Sequence, residues 1–178
     1  MLLIASKDAL AFELLYERYQ SRMFGYLLRQ MAYDSDKAND VLHDVFLKVI
    51  ENAKKFDAAQ SFKTWLFTIA YNLCKNEFRK KEYSDEHQRH IANHVDFWEE
   101  QNPDHALFQE QFEQSVQKLS YEHRTVFELR HKEGLALKEI AEIMDSNLGT
   151  IKSRLHYATK FLATELQAFN PNTQQYGN

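Results

Sequence analysis

Residues that interrupt or cross-link helices are scarce in this sequence. Its 178 residues include four glycines, two prolines and one cysteine, Cys74. So few backbone breakers favour long helices with short connections over a β-rich fold. A lone cysteine excludes an internal disulfide, and we expect Cys74 to be a small buried hydrophobe in a protein of the reducing cytoplasm.

Long uncharged apolar runs are also missing, so we expect no insertion into a membrane. The apolar start, Met1 to Ser6, lacks the length and the basic residues of a signal peptide. The sequence contains no glycine-rich phosphate loop, nucleophile elbow or paired-carboxylate strand site. We therefore predict a protein without catalytic residues, cofactor or metal.

The distribution of charge says more than the net charge of −4. Eight acidic residues lie between positions 83 and 115, where Arg89 is the sole basic residue. The segments before and after hold slightly more basic than acidic residues. This pattern indicates two weakly basic blocks on either side of an acidic connector.

The apolar periodicity predicts an all-α fold, with two small helical domains joined by a flexible acidic linker. We place the first domain at 1–82, the linker at 83–105, the second domain at 106–170 and a polar tail at 171–178. The predicted helices span about 9–33, 37–56, 62–82, 104–119, 121–132, 137–144 and 149–169.

The strongest motif is a helix-turn-helix in the second domain. Ala141 supplies a small side chain where two helices cross, and either Asp145 or Asn147 can adopt the left-handed conformation that the turn requires. The second helix sorts into an apolar stripe and a polar face, which suits either the major groove of DNA or an ordinary surface helix. The polar face comprises Lys152, Ser153, His156, Tyr157 and Lys160.

The predicted helix 62–82 interleaves aromatic and basic residues. Rings that stack on unpaired bases, beside cations that follow the backbone, are typical of proteins that bind single-stranded nucleic acid. The alternative is that most of the rings belong to the core and the basic residues form a solvated helix end. These residues are Phe62, Trp65, Phe67, Tyr71 and Phe78, with Lys63, Lys75, Arg79, Lys80 and Lys81.

The predicted helix 37–56 carries a leucine on its polar side. Leu47 lies opposite the apolar stripe, and the side chains around it include Asp40, Asp44 and Glu51. A leucine surrounded by acidic groups fits a docking face for a basic, partly apolar protein.

Together these motifs resemble the extracytoplasmic-function sigma factors, the minimal two-domain class of the sigma-70 superfamily. The resemblance covers about 8–82 and 106–168. Residues 38–48 resemble the helix that binds the polymerase clamp, 62–73 the helix that reads the −10 element, and 134–155 the unit that reads the −35 element. It implies a transcription initiation factor for a stress or envelope-signal regulon, whose partners are core RNA polymerase (clamp and flap), promoter DNA and an anti-sigma factor.

The resemblance also implies roles for individual residues. For the polymerase clamp they are Asp40, His43, Asp44, Leu47 and Lys48. For the −10 element they are Phe56, Asn72, Lys75, Asn76, Arg79 and Lys80. For the −35 element they are Thr150, Lys152, Ser153, Arg154, His156, Tyr157 and Lys160.

The sequence departs from the family pattern at a few of these positions. His43 replaces the usual glutamine, Tyr71 stands where a basic residue is frequent, and His156, Tyr157 and Thr159 replace an arginine-rich stretch. The last departure leaves the preferred −35 sequence open. A free-standing repressor or activator is the rival function, but it needs a dimerisation surface that the sequence does not indicate.

Three connector histidines, His87, His90 and His94, are spaced so that one helix can present all of them to a zinc ion. A solvated polar linker is the interpretation that we favour. Neither a thiolate nor a closely placed carboxylate completes a fourth ligand.

The acidic connector generates a prediction about DNA binding. Its charge competes with phosphate for the basic faces, so we expect the fragment 106–170 to bind a −35 duplex more tightly than the full chain at low salt. Replacing Glu99, Glu100 and Asp104 by their amides should move the full chain toward the fragment. Fluorescence anisotropy measures both affinities, and equal affinities for the full chain and the fragment would reduce the connector to a spacer.

Overall fold

The structure, a computed structural model, describes residues 1–84 and 103–169. Within these ranges all regular elements are helical and no strand occurs, which confirms the predicted all-α class. The residues form two compact units, and each is described by itself. No helix in these ranges is long and apolar enough to cross a membrane. Most of the predicted linker, and the tail, lie outside the described residues.

Two helices of the N-terminal unit start at an aspartate cap. The Asp8 carboxylate accepts a hydrogen bond from the Ala11 backbone N–H at 2.9 Å, and Asp34 accepts one from the Lys37 N–H at 3.1 Å. The helices are α1 (Leu2–Ala5), α2 (Ala9–Gln30), α3 (Ser35–Glu51) and α4 (Phe62–Ser84), with a 3-10 turn at Ala53–Lys55.

Two helix ends differ from the sequence-based prediction. Helix α2 ends at Gln30 and not at residue 33, because Ala32 and Tyr33 adopt left-handed φ angles of 54° and 65°. Helix α3 ends at Glu51 and not at residue 56, since the backbone tightens there into the 3-10 turn. The four-residue helix α1 was not predicted, because it is too short to show a period.

The core of the N-terminal unit is formed by α3 packed against both α2 and α4. The Tyr26 ring of α2 meets the Phe67 ring of α4 edge to face, with 5.2 Å between the ring centroids. Cys74, which also belongs to α4, is fully buried, as predicted. On α3 the buried stripe is Ala38, Val41, Leu42, Val45, Phe46 and Val49.

The C-terminal unit is built around its last long helix. Helix α8 packs against α5 and α6, and it ends at Glu165, short of the predicted residue 169. The helices are α5 (Pro103–Gln117), α6 (Tyr121–His131), α7 (Leu137–Ile143) and α8 (Leu148–Glu165), with a 3-10 turn at Gln167–Phe169. Buried Val116, Phe127, Ala158 and Leu162 form a cluster, with Phe112, Leu119, Leu155 and Phe161 packed around it.

Helices α7 and α8 form the predicted helix-turn-helix. Of the two candidate turn residues, Asp145 takes the left-handed conformation, with φ 46°, whereas Asn147 is extended. The Asn147 side chain instead caps α8 by accepting a hydrogen bond from the Thr150 N–H at 2.8 Å. Ile140 and Ile151, one from each helix, are fully buried.

The connection between α6 and α7 generates a prediction about stability. Gly134 has φ 66°, the left-handed conformation that favours glycine after a helix end, and an added Cβ would meet no atom within 4 Å. Gly134→Ala therefore introduces backbone strain alone, and we expect a loss of about 1–2 kcal/mol. Gly134→Asn should lose less, because asparagine tolerates this conformation.

Amide hydrogen exchange in the full chain measures the effect locally. Exchange in α6 and α7 should accelerate for the alanine variant, while exchange in α2 to α4 serves as the internal control. Unchanged protection of α6 and α7 would contradict the strain argument.

Candidate nucleic-acid interface

The predicted −35 residues lie along the solvent-facing side of α8. Burial of Ile151, Ala158 and Leu162 on the opposite side turns this face outward. Five of its members are exposed and two, Thr150 and Arg154, are half-buried. The exposed members are Lys152, Ser153, His156, Tyr157 and Lys160.

This face combines cations with neutral donors and acceptors. Ammonium groups pair with phosphates, whereas hydroxyl, phenol and imidazole groups can read base edges. Tyr157 is 62% exposed, and its ring lies edge-on to two imidazoles, His156 and His123. His123 belongs to α6 and was not among the predicted site residues, since no sequence period connects it to α8.

The predicted clamp-binding face lies on α3, opposite its valine stripe. Leu47 is 55% exposed, and Ile50, which the sequence analysis did not single out, is 44% exposed one turn further on. Lys48 donates a hydrogen bond to the Glu51 carboxylate at 2.7 Å, and this bond raises the pKa of Lys48. The exposed members are Asp40, His43, Asp44, Leu47 and Lys48.

The predicted −10 residues of α4 are brought together by helical spacing. Positions 72, 75, 76 and 79 are three or four residues apart, so their side chains share one face. Asn72, Asn76 and Arg79 are exposed, whereas Lys75 is half-buried, with Nζ 5.7 Å from the centroid of the Tyr71 ring. This face therefore offers two amides and two cations.

Phe56, the remaining −10 candidate, precedes α4 and belongs to an aromatic cluster. Its ring centroid lies 5.8 Å from that of Phe62 and 5.1 Å from that of Trp65. These three rings are half-buried, whereas Phe67 and Tyr71 are buried in the core. Of the two interpretations of the aromatic residues in α4, core packing thus applies to Phe67 and Tyr71.

Lys80 lies one turn beyond Asn76 on α4 and forms an ion pair. Its Nζ donates a hydrogen bond to the Glu77 carboxylate at 2.6 Å, which raises the pKa of Lys80, and Asp44 adds a smaller contribution in the same direction. A groove between α3 and α4 is lined by Val41, Asp44, Leu73, Asn76, Glu77 and Lys80. Lys80 thus lines a groove that also contains Asp44 of the predicted clamp-binding face and Asn76 of the predicted −10 residues.

The described residues contain no candidate metal site. No group of three or more histidine, cysteine, aspartate and glutamate side chains in residues 1–84 and 103–169 could hold an ion. The connector histidines His87, His90 and His94 lie outside these ranges.

Two family models match the chain. The model for Sigma-70 region 2 matches residues 15–83, and the model for Sigma-70, region 4, matches residues 109–162. The first range takes in most of α2, all of α3 and nearly all of α4. The second runs from the middle of α5 into α8, and it includes the helix-turn-helix.

Three relatives match nearly the whole chain. The RNA polymerase sigma-H factor of Pseudomonas aeruginosa is 30% identical over 171 residues, which cover 90% of this chain and 88% of that protein. The ECF RNA polymerase sigma-E factor of Escherichia coli is also 30% identical, with the same coverage. The sigma-E factor of Haemophilus influenzae is 28% identical and covers 90% of this chain and 89% of that protein.

Two solved structures share the fold. The sigma factor RpoE of Bartonella quintana, in complex with the anti-sigma factor NepR, has a TM-score of 0.73 and 23% identity, covering 88% of this chain and 97% of that chain. CnrH, in complex with the cytosolic domain of CnrY, has a TM-score of 0.70 and 22% identity, covering 94% of each chain.

The α8 face generates a prediction about DNA. We expect Lys152→Ala to lose about 1–3 kcal/mol of discrimination if the ammonium contacts a base edge. If it contacts phosphate, affinity should fall evenly across sequences with a shallower salt slope. Anisotropy with a −35 duplex selected from a random library, and with its scrambled version, separates the two modes.

Lys118→Ala is the matched control, because Lys118 is an exposed lysine just after the end of α5 and pairs at 2.6 Å with Glu165, the last residue of α8, beyond the predicted site residues. It should bind both duplexes like the unchanged chain. A Lys152 variant that behaves like the Lys118 variant would show that this face does not enter the groove.

Proposed function

The chain belongs to the extracytoplasmic-function class of the sigma-70 family, the transcription initiation factors that bind core RNA polymerase and direct it to promoters, and from this membership we propose how its exposed faces divide that work. The face of α3 binds the polymerase clamp, the face of α4 holds the −10 element, and the face of α8 reads the −35 element. Every predicted residue on α3 and α8 except Thr150 and Arg154 is exposed, on the side of its helix opposite an apolar buried stripe. This exposure is the observation that carries the proposal.

The α3 face suits a basic, partly apolar clamp surface. Asp40 and Asp44 supply negative charge, which steers a cationic partner and favours one orientation of docking. Leu47 and Ile50 supply apolar area that is free to be buried, since they are 55% and 44% exposed. Charge thus selects the partner while the apolar pair contributes affinity.

The α4 face suits one base taken out of the melted strand. Asn72 and Asn76 offer amide donors and acceptors for a base edge, and Lys75 and Arg79 offer cations for the adjoining phosphates. Flipping is least costly at a weakly paired step, which agrees with strand opening without an ATPase. The half-buried ring of Phe56 packs against the start of α4 and adds an aromatic surface there.

The α8 face suits a duplex read in the major groove. Lys152 and Lys160 lie on the same exposed side as Ser153, His156 and Tyr157. Thr150 and Arg154 are half-buried at its border, where phosphate contacts fit better than base contacts. The unit of α5 to α8 also binds the polymerase flap in this proposal.

The remaining parts of the proposal follow from family membership. A cognate anti-sigma factor controls the protein, as the solved complexes of RpoE and CnrH suggest. The protein acts in the cytoplasm, in a stress or envelope-signal regulon. It needs no catalytic activity of its own, because the polymerase supplies the chemistry.

The clamp face is tested with core polymerase. Leu47→Asp places a charge in the middle of the proposed contact, so we expect core affinity to fall roughly 30-fold or more and run-off transcription to fall with it. Asp44→Lys, which reverses a charge there, should act in the same direction. Pull-down with core enzyme and run-off transcription measure the two effects.

Leu14→Asp is the matched control, because Leu14 is 60% exposed on α2 of the same unit. It should leave both measurements unchanged, and circular dichroism should report equal helix content for all variants. Unchanged core affinity for Leu47→Asp would remove the α3 face from the proposal. Tight binding to promoter duplex with no run-off product at any core concentration would favour the rival repressor.

A further inference from the structure

The Tyr157 side chain is exposed and yet held in place. Its ring centroid lies 6.0 Å from that of His156, with 64° between the ring planes, and 6.2 Å from that of His123, with 71° between the planes. Edge-to-face geometry at these separations is the favoured arrangement of aromatic pairs. The His156 contact is local to α8, whereas the His123 contact joins α8 to α6.

His123 is itself fixed by the start of α6. The Ser120 hydroxyl lies 2.7 Å from the His123 ring atom Nδ1. The same hydroxyl caps the helix by accepting a hydrogen bond from the His123 backbone N–H at 3.5 Å. Because ring and backbone of His123 share one partner, the imidazole has a defined orientation on a helix that packs against α8.

Restraint of an exposed ring has a consequence for binding. A tyrosine at 62% exposure that lacks neighbours loses rotamer freedom when DNA fixes it, and this loss opposes binding. A ring that is already held loses less. It also meets the base pairs in one orientation, so its contacts distinguish one sequence from another.

We propose that His123 is a positioning residue for −35 recognition, which holds the Tyr157 ring in the orientation that contacts a base pair. The inference rests on the proposed role of α8. The partner chemistry follows from the ring: its apolar body packs against a thymine methyl, and its hydroxyl reaches a base-edge donor or acceptor. His123 thereby extends the recognition site to α6 and influences a base pair through Tyr157.

A double-mutant cycle tests this coupling in the holoenzyme formed with core polymerase. The variants are His123→Ala, Tyr157→Ala and the double variant, and the probe is a promoter whose −35 element was selected from a random library. Discrimination is the ratio of run-off rates between this promoter and versions with single −35 base pairs changed. We expect the discrimination of the His123→Ala variant to be roughly three- to tenfold lower at one or two adjacent base pairs.

The cycle separates positioning from an independent contact. In the Tyr157→Ala background, His123→Ala should cause no further loss, because the ring that it positions is absent. His123→Phe should retain much of the discrimination, since a phenyl ring keeps the edge contact with Tyr157 without the Ser120 hydrogen bond. An additive loss in the double variant, or an equal loss at all −35 positions, would overturn the proposal.

Two controls keep the result interpretable. Amide exchange in α6 identifies a variant whose helix start has frayed. If His123→Ala is such a variant, the discrimination measured for His123→Phe tests the positioning role in its place. Lys152→Ala tests the α8 assignment separately. If Lys152→Ala loses −35 binding while His123→Ala loses no discrimination, then the positioning role is wrong and the −35 assignment stands; if neither has an effect, both are wrong.

Discussion

Burial of one apolar stripe on each of α3 and α8 determines which side chains the protein offers to its partners. Val41, Val45 and Val49 stand on the inner side of α3, and each buried side chain of this size contributes about 1.5–3 kcal/mol. Rotating α3 by half a turn would exchange these valines for Asp40, Asp44 and Leu47, at the combined cost of exposing apolar groups and burying charge. The functional face is therefore fixed by what the core requires on the other side.

The same constraint operates in the C-terminal unit with a different chemical outcome. Ile151, Ala158 and Leu162 pack inward, and the exposed side of α8 opposite them carries cations, hydroxyls and rings. Ala158 shares a buried cluster with Phe127 of α6, and the packing of α6 against α8 brings His123 beside Tyr157. The proposed recognition helix is thus supported by its neighbours at positions outside its exposed face.

Period-based reasoning predicted most of the fold and of the candidate faces, because helix spacing alone decides which residues share a side. It failed at the helix ends, where Ala32 and Tyr33 depart from helical dihedrals that no period reveals. It also could not choose between Asp145 and Asn147 in the turn. Helix periodicity also cannot predict which side chains of different helices come into contact, and the pair of His123 with Tyr157 is one example.

The groove between α3 and α4 has a consequence for how sigma factors of this kind can diversify. Asp44, on the proposed clamp face, and Asn76, on the proposed −10 face, line the same groove, which Lys80 and its partner Glu77 also line. A substitution on either side alters the field and the packing that the other side experiences. Under the proposed assignment of these faces, polymerase fit and −10 preference are thus not independent traits in this unit, and a change in one restricts which changes in the other are tolerated.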